Sequence, residues 1–148
     1  MKKKFKIVLL LSSTFLLGAC SQSSDSNHDR IGIGKKLAMG EHWFSQKQVK
    51  EGKKVYIANC ESCHNYKGIG SFNWRQPRAD GSYPPPPLNG TGHSWHHRYP
   101  QLLGQIANGG GIMPAFKNKL TEAQRVSALA YIQSLWPDDI YQRWEMGA

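Results

Sequence analysis

Cys60-Glu61-Ser62-Cys63-His64 sets two thiols three positions apart with an imidazole directly after the second. That spacing is the one c-type haem attachment requires. Each sulfur can add to one vinyl group of a single porphyrin while His64 turns a ring nitrogen onto the iron. Two other chemistries use a C-x-x-C pair, a dithiol redox motif and half of a zinc site. A zinc ribbon needs a second Cys or Cys/His pair at comparable spacing, and the one other cysteine is Cys20. A thioredoxin-like motif needs a βαβ setting, and the chain shows almost no strand-like alternation. The pentapeptide therefore reads as the attachment point of a haem carrier.

Two further patterns carry potential metal ligands. Ile112-Met113-Pro114-Ala115-Phe116 follows Asn108-Gly109-Gly110-Gly111. A lone methionine is usually core packing. Here a proline stiffens the segment and flexible glycines precede it, which suits Met113 to present its thioether to iron opposite His64. The second pattern is His93-Ser94-Trp95-His96-His97, three imidazoles in five residues. It could hold copper or zinc, or supply a distal haem ligand. No Cys, Met or carboxylate lies beside it to complete a site, so a structural role is the default. Trp74, Arg75 and Arg78 are candidates for hydrogen bonding to haem propionates, and equally ordinary residues of a surface loop.

These groups need elements to position them. Ser45 with Gln48 makes a capping box, Phe44 and Val49 a hydrophobic staple, and Val49, Tyr56 and Cys60 recur at helical spacing with Gly52 on the same face. One helix of about 14 residues is expected to deliver the chain to the haem motif. Lys47, Lys50 and Lys54 fall on another face, a solvated one by default. Residues 65–92 are rich in Gly and Pro, with four prolines at 84–87, and are expected to wrap the haem edge as irregular loop. Pro100 opens a short helix with Leu102, Leu103 and Ile106 on one side, ended by Asn108 and the glycines. Thr121 with Gln124 caps a last helix whose apolar side is Ala128, Leu129, Ile132, Leu135 and Trp136, and Pro137 stops it.

The chain has 148 residues, 19 basic and 10 acidic, for a formal net charge of +9. Residues 1–19 combine a lysine-rich start with an apolar run from Ile7 to Leu17, an export signal too short for a confident membrane span. Leu17-Gly18-Ala19-Cys20 resembles the lipobox of bacterial lipoproteins, which implies lipidation at Cys20. The alternative is an ordinary secreted protein with a free thiol there. Removing the signal with Lys2, Lys3, Lys4 and Lys6 leaves a net charge of +5, and two haem propionates lower it further, so charge alone does not argue for nucleic-acid binding. Residues 20–44 read as a lipid-anchored tether. Its ten residues Ser21 to Arg30 are polar and aperiodic, with a root-mean-square reach of about 15–20 Å. Ser21, by resemblance to lipoprotein sorting signals, points to an outer membrane. Residues 45–137 form the domain, and 138–148 a tail carrying Trp144.

Gly52-x-x-x-Tyr56, Cys60-x-x-Cys63-His64, Pro86-Pro87-Leu88-x-Gly90, Met113-Pro114 and the final helix with Tyr131-Ile132 together resemble a class I cytochrome c over about residues 45–137. The resemblance implies an all-α fold of three to four helices around one covalently attached haem. It implies that the first and last helices cross at Gly52 and Tyr131, and that a carbonyl of the proline loop, that of Pro86, accepts a hydrogen bond from His64. Asn65 departs from the family, which usually has glycine after the haem histidine. Trp95-His96-His97 and Ser134-Leu135-Trp136-Pro137 also resemble a subgroup of bacterial c-type cytochromes.

The expected function is one-electron transfer between extracytoplasmic redox proteins by a monomer with His64 and Met113 on the iron, held to a bacterial membrane through Cys20 and binding no nucleic acid. Two alternatives stay open: a haem enzyme or sensor with a vacatable sixth ligand for peroxide or a gas, and a copper-handling lipoprotein using His93, His96 and His97. No Ser-His-Asp arrangement, phosphate loop or pair of catalytic carboxylates argues for a hydrolase or transferase.

Overall fold

The computed structural model describes residues 41–147. The expected signal peptide, Cys20 and most of the tether lie outside the described residues. Helix α1 spans Gln46–Asn59, and its start is held by a reciprocal cap. The Gln48 backbone N–H donates to Ser45 Oγ at 3.2 Å, and the Ser45 N–H donates to Gln48 Oε1 at 2.8 Å, relieving orphan donors of the first turn. Phe44 packs among the rings of His42, Trp43 and Tyr141, and Val49 packs against the cluster of Tyr56, Tyr131 and Ile132.

A short helix α2, Glu61–His64, carries the second cysteine and the histidine directly after α1. Helix α3 spans Tyr99–Asn108 with Pro100 in its first turn and Gly109, at φ 69°, beyond its end. Helix α4 spans Glu122–Gln133, capped by Thr121 and Gln124 as by Ser45 and Gln48. It ends before Pro137 takes effect: the Leu135 and Trp136 amides turn back onto Ile132 and Gln133, so Trp136 leaves the helical face. The tail then forms a further helix, α5, Asp138–Glu145. Short 3-10 turns lie at Tyr66–Gly68 and Ser94–His96. Among the described residues there are five α-helices and no strand, an all-α fold with more helical segments than the expected three to four, because α2 and α5 are added.

The crossing of α1 and α4 organises the fold, and Gly52 permits it. A Cβ at Gly52 would lie 1.8 Å from the Ser127 carbonyl oxygen and 2.9 Å from Tyr131 Cβ. The helices therefore meet backbone to backbone, with Tyr56 fully buried against Tyr131, ring centroids 5.2 Å apart. A second cluster gathers Ile106, Phe116, Leu120 and Leu129, with Met113, Val55 and Trp43 packed against it. Two long-range indole bonds join these parts, Trp136 Nε1 to the Leu88 carbonyl at 2.7 Å and Trp43 Nε1 to the side chain of buried Gln133 at 2.6 Å.

Candidate haem site

Cys60 follows the last residue of α1, and Cys63 and His64 lie on α2, so the three side chains are set by the end of one helix and the start of the next. Cys63 is exposed and Cys60 half-buried. Burial, and secondarily a charge on Cys63, push the Cys60 thiol up to about 11. A dithiol redox centre needs the opposite shift to make a thiolate near neutral pH. His64 is buried, 8% exposed, and its Nδ1 lies 2.9 Å from the Pro86 carbonyl oxygen. Burial holds its pKa below the ordinary value, opposed by that carbonyl. With Nδ1 engaged in this way, Nε2 is the nitrogen left for a metal, the usual arrangement for a ligating histidine.

The loops are stitched so that Pro86 meets His64. The His64 carbonyl accepts from the Gly70 amide at 2.8 Å, the Pro85 carbonyl from Ser71 at 2.9 Å, and the Gly68 carbonyl from Leu88 at 2.7 Å. Gly70 packs against the proline loop so closely that a Cβ there would lie 2.4 Å from the Pro87 nitrogen. Asn65 adopts φ 63°, ψ 173°, a conformation almost reserved for glycine. Its turn survives because the Tyr56 hydroxyl donates to its carbonyl at 2.7 Å and its own Nδ2 donates to the Gly70 carbonyl at 2.9 Å.

Met113 is half-buried. Its amide and carbonyl both pair with Gly110, at 3.0 Å each, and a Cβ at Gly109 would strike the Met113 carbonyl at 2.4 Å. The glycines thus fold the loop tightly onto the methionine. Gln105 Nε2 lies 3.8 Å from Met113 Sδ, a contact that nothing in the sequence pattern announces.

The other candidates divide. Trp74 and Arg75 line a cavity of about 350 Å³ with Pro86 and His93. Arg78 instead sits in a turn, its amide on the Ser82 carbonyl. His93, His96 and His97 do not converge: His93 stacks on Trp74, His96 stacks on Trp95, and only His93 and His97 meet, edge to face. Among the described residues no group of three or more His, Cys, Asp or Glu is assembled as a metal site.

An all-α domain in which a C-x-x-C-H turn, a carbonyl-held histidine and a glycine-set methionine are arranged this way defines a c-type cytochrome. Residues 47–132, more than half of the chain, match the family model described as cytochrome C oxidase, cbb3-type, subunit III, and the chain belongs to this family of class I c-type cytochromes. It is 28% identical over 84 residues to cytochrome c6 of Synechocystis sp., covering 57% of this chain and 62% of the relative. It is 32% identical over 81 residues to cytochrome c6 of Leptolyngbya boryana, covering 55% of this chain and 85% of the relative. The match thus spans less than two thirds of the first relative and most of the second. No solved structure matches.

The family's cofactor is covalently bound haem c, and the chain fits it. The thiol spacing, the engaged Nδ1 of buried His64 and the exposed apolar residues Ile69 and Ile112, the second next to Met113 in the chain, suit a large apolar ring.

Proposed function

We propose that this chain is a mono-haem electron carrier working between extracytoplasmic redox proteins, with Cys60 and Cys63 as attachment points and His64 and Met113 as iron ligands. The haem supplies a one-electron ferric/ferrous couple whose potential a thioether opposite histidine raises. The observation that carries the reading is the buried His64 ring, held at Nδ1 by the Pro86 carbonyl at 2.9 Å. That bond fixes the ring's rotation and raises the basicity of Nε2. The glycine-braced Met113 loop keeps the thioether in place through the redox cycle, so reorganisation is small. A partner need only approach the haem edge, and encounters are weak and fast.

Cys20 is proposed as a lipidated residue that keeps the domain at the outer side of a bacterial membrane, the outer membrane by the Ser21 signal. Several acyl chains there would anchor the protein firmly without spanning the bilayer. The partners are a donor and an acceptor protein, and the carrier is a monomer.

Met113→Ala tests the ligand assignment. The ferric wild type is expected to show the sulfur-to-iron charge-transfer band, and its ferrous form to bind carbon monoxide slowly or not at all. The variant loses the band and binds carbon monoxide at once. An unchanged spectrum in the variant overturns Met113 as ligand, and rapid carbon monoxide binding by the wild type favours a gas- or peroxide-binding haem protein.

A further inference from the structure

Next to the carbonyl that holds His64 lies the cavity of about 350 Å³, walled by Trp74, Arg75, Tyr83, Pro84, Pro86 and His93. Pro86 belongs to both places, lining the cavity and accepting from His64 Nδ1 at 2.9 Å. His93 thus shares a cavity wall with the residue whose carbonyl holds His64. Its ring is fixed rather than free. It stacks on Trp74 with centroids 5.7 Å apart and planes 19° apart, and His97 meets it edge-on at 5.5 Å. The Arg75 guanidinium lies over the same indole, 4.3 Å from its centroid.

Resting on the reading of the chain as a haem electron carrier, we propose that His93 is a redox-linked proton site, releasing a proton as the iron gives up its electron. The step balances. Ferrous iron with His93 imidazolium becomes ferric iron with neutral His93, the electron passing to a one-electron acceptor protein and the proton to solvent. With haem held through His64, the extra positive charge of the oxidised state would disfavour a positive charge on His93, which is linkage between two sites.

The surroundings of His93 favour such a switch. The charged groups bearing on it are His97 and His96 from its own segment and Arg75 from the preceding loop, all of cationic type. Burial first, and then these groups, hold its pKa below the ordinary value. Tyr83 also lines the wall. Helix α5 reaches this segment through an uncharged contact, Trp144 Nε1 to the His97 carbonyl at 2.8 Å. The ring of His93 is exposed, so its proton exchanges freely with water, and solvent screening keeps the coupling small.

The test is spectroelectrochemical titration of the haem-loaded protein from pH 5 to 8.5. The ferrous form is expected to bind the His93 proton about threefold more tightly than the ferric form, so the potential falls by about 28 mV across the window, at 59 mV per tenfold for one electron. His93→Gln is expected to flatten the profile, whereas His97→Gln keeps the fall and moves it to higher pH by removing a like charge. NMR titration of the His93 ring in each oxidation state gives the same shift without a substitution. A flat wild-type profile, a fall unchanged in His93→Gln, or equal His93 titrations in both states overturns the inference. The visible spectrum, read in the same cell, separates this from failure of the haem assignment itself.

Discussion

The side-chain amide of Gln105 points its nitrogen at the sulfur of Met113, 3.8 Å away, across the end of α3. The same amide nitrogen would lie 3.0 Å from a Cβ at Gly110, so the glycine leaves room for the approach. An N–H donor at a thioether draws its lone pair away from a bound metal, which disfavours the ferric state and raises the potential. Gln105→Leu keeps the bulk and removes the donor. The potential of the variant is expected to drop by about 20–60 mV, the equivalent of one modest hydrogen bond at 59 mV per tenfold. Potentiometry beside an unchanged charge-transfer band checks it; an equal or higher potential excludes the donor role.

Asn65 sits where only glycine is comfortable, at φ 63° and ψ 173°, and holds that turn with a bond from its Nδ2 to the Gly70 carbonyl. Strain and hydrogen bond oppose each other, at about 1–3 kcal/mol and 0.5–1.5 kcal/mol. Asn65→Gly should therefore leave stability within about 1 kcal/mol of wild type or raise it, while Asn65→Val should lose about 2 kcal/mol or more. Guanidinium unfolding of the three proteins measures this, and a Gly variant as weak as the Val variant would show that the side-chain bond, not the backbone, secures the turn.

Asn65 also marks the boundary of what the sequence discloses. The capping boxes at Ser45 and Thr121, the stop after Asn108 and the C-x-x-C-H turn were legible because each is set by residues within a few positions of one another. The close approach of Gly52 to α4 was legible through the family pattern. Other features depend on contacts that local pattern does not encode. Trp136 finds the Leu88 carbonyl 48 positions away, and Trp43 finds Gln133 across 90 positions. Helix α5 is not announced by local pattern, because three apolar side chains in eight residues, Ile140, Tyr141 and Trp144, define a face only once Phe44 and Trp136 are there to receive it. The three imidazoles at 93, 96 and 97 make the converse point: density in sequence does not make side chains converge, and here Trp74 and Trp95 take up two of the rings.

Gly52 has no slack. An added methyl would overlap the Ser127 carbonyl oxygen at 1.8 Å, which backbone atoms of a packed helix cannot vacate without separating α1 from α4. Gly52→Ala gains about 1 kcal/mol of helix propensity and loses more to overpacking. A net loss of about 2–4 kcal/mol is expected, read as a lower urea midpoint with the same slope. Loss of fold entirely gives the same sign, and the milder Ser127→Gly, which leaves the carbonyl where it is, should change little. A Gly52→Ala protein as stable as wild type would mean the helices do not touch at this position.

The tyrosines set the alkaline limit. Tyr141 is 4% exposed and accepts from the Trp43 amide at 3.3 Å; burial pushes its pKa up to about 12 from 10, against the lowering by that amide. Tyr56, fully buried, is shifted upward as well, first by burial. A phenol whose folded pKa exceeds its unfolded value stays neutral in the native state while the unfolded chain ionises. Its contribution to stability is therefore whole below about pH 10 and is lost as pH rises from there toward the folded value, with a slope approaching 1.4 kcal/mol per pH unit for each such group. Stability of the haem-loaded protein, followed by helical circular dichroism in denaturant, should fall between about pH 10 and 12. Tyr141→Phe should start about 1 kcal/mol lower at pH 8, having lost the acceptor for Trp43, yet fall less steeply above pH 10. Because the two effects have opposite signs at the two ends of the scale, the stability curves of variant and wild type should converge as pH rises, and parallel curves would show that Tyr141 ionises as freely in the native state as in the unfolded one.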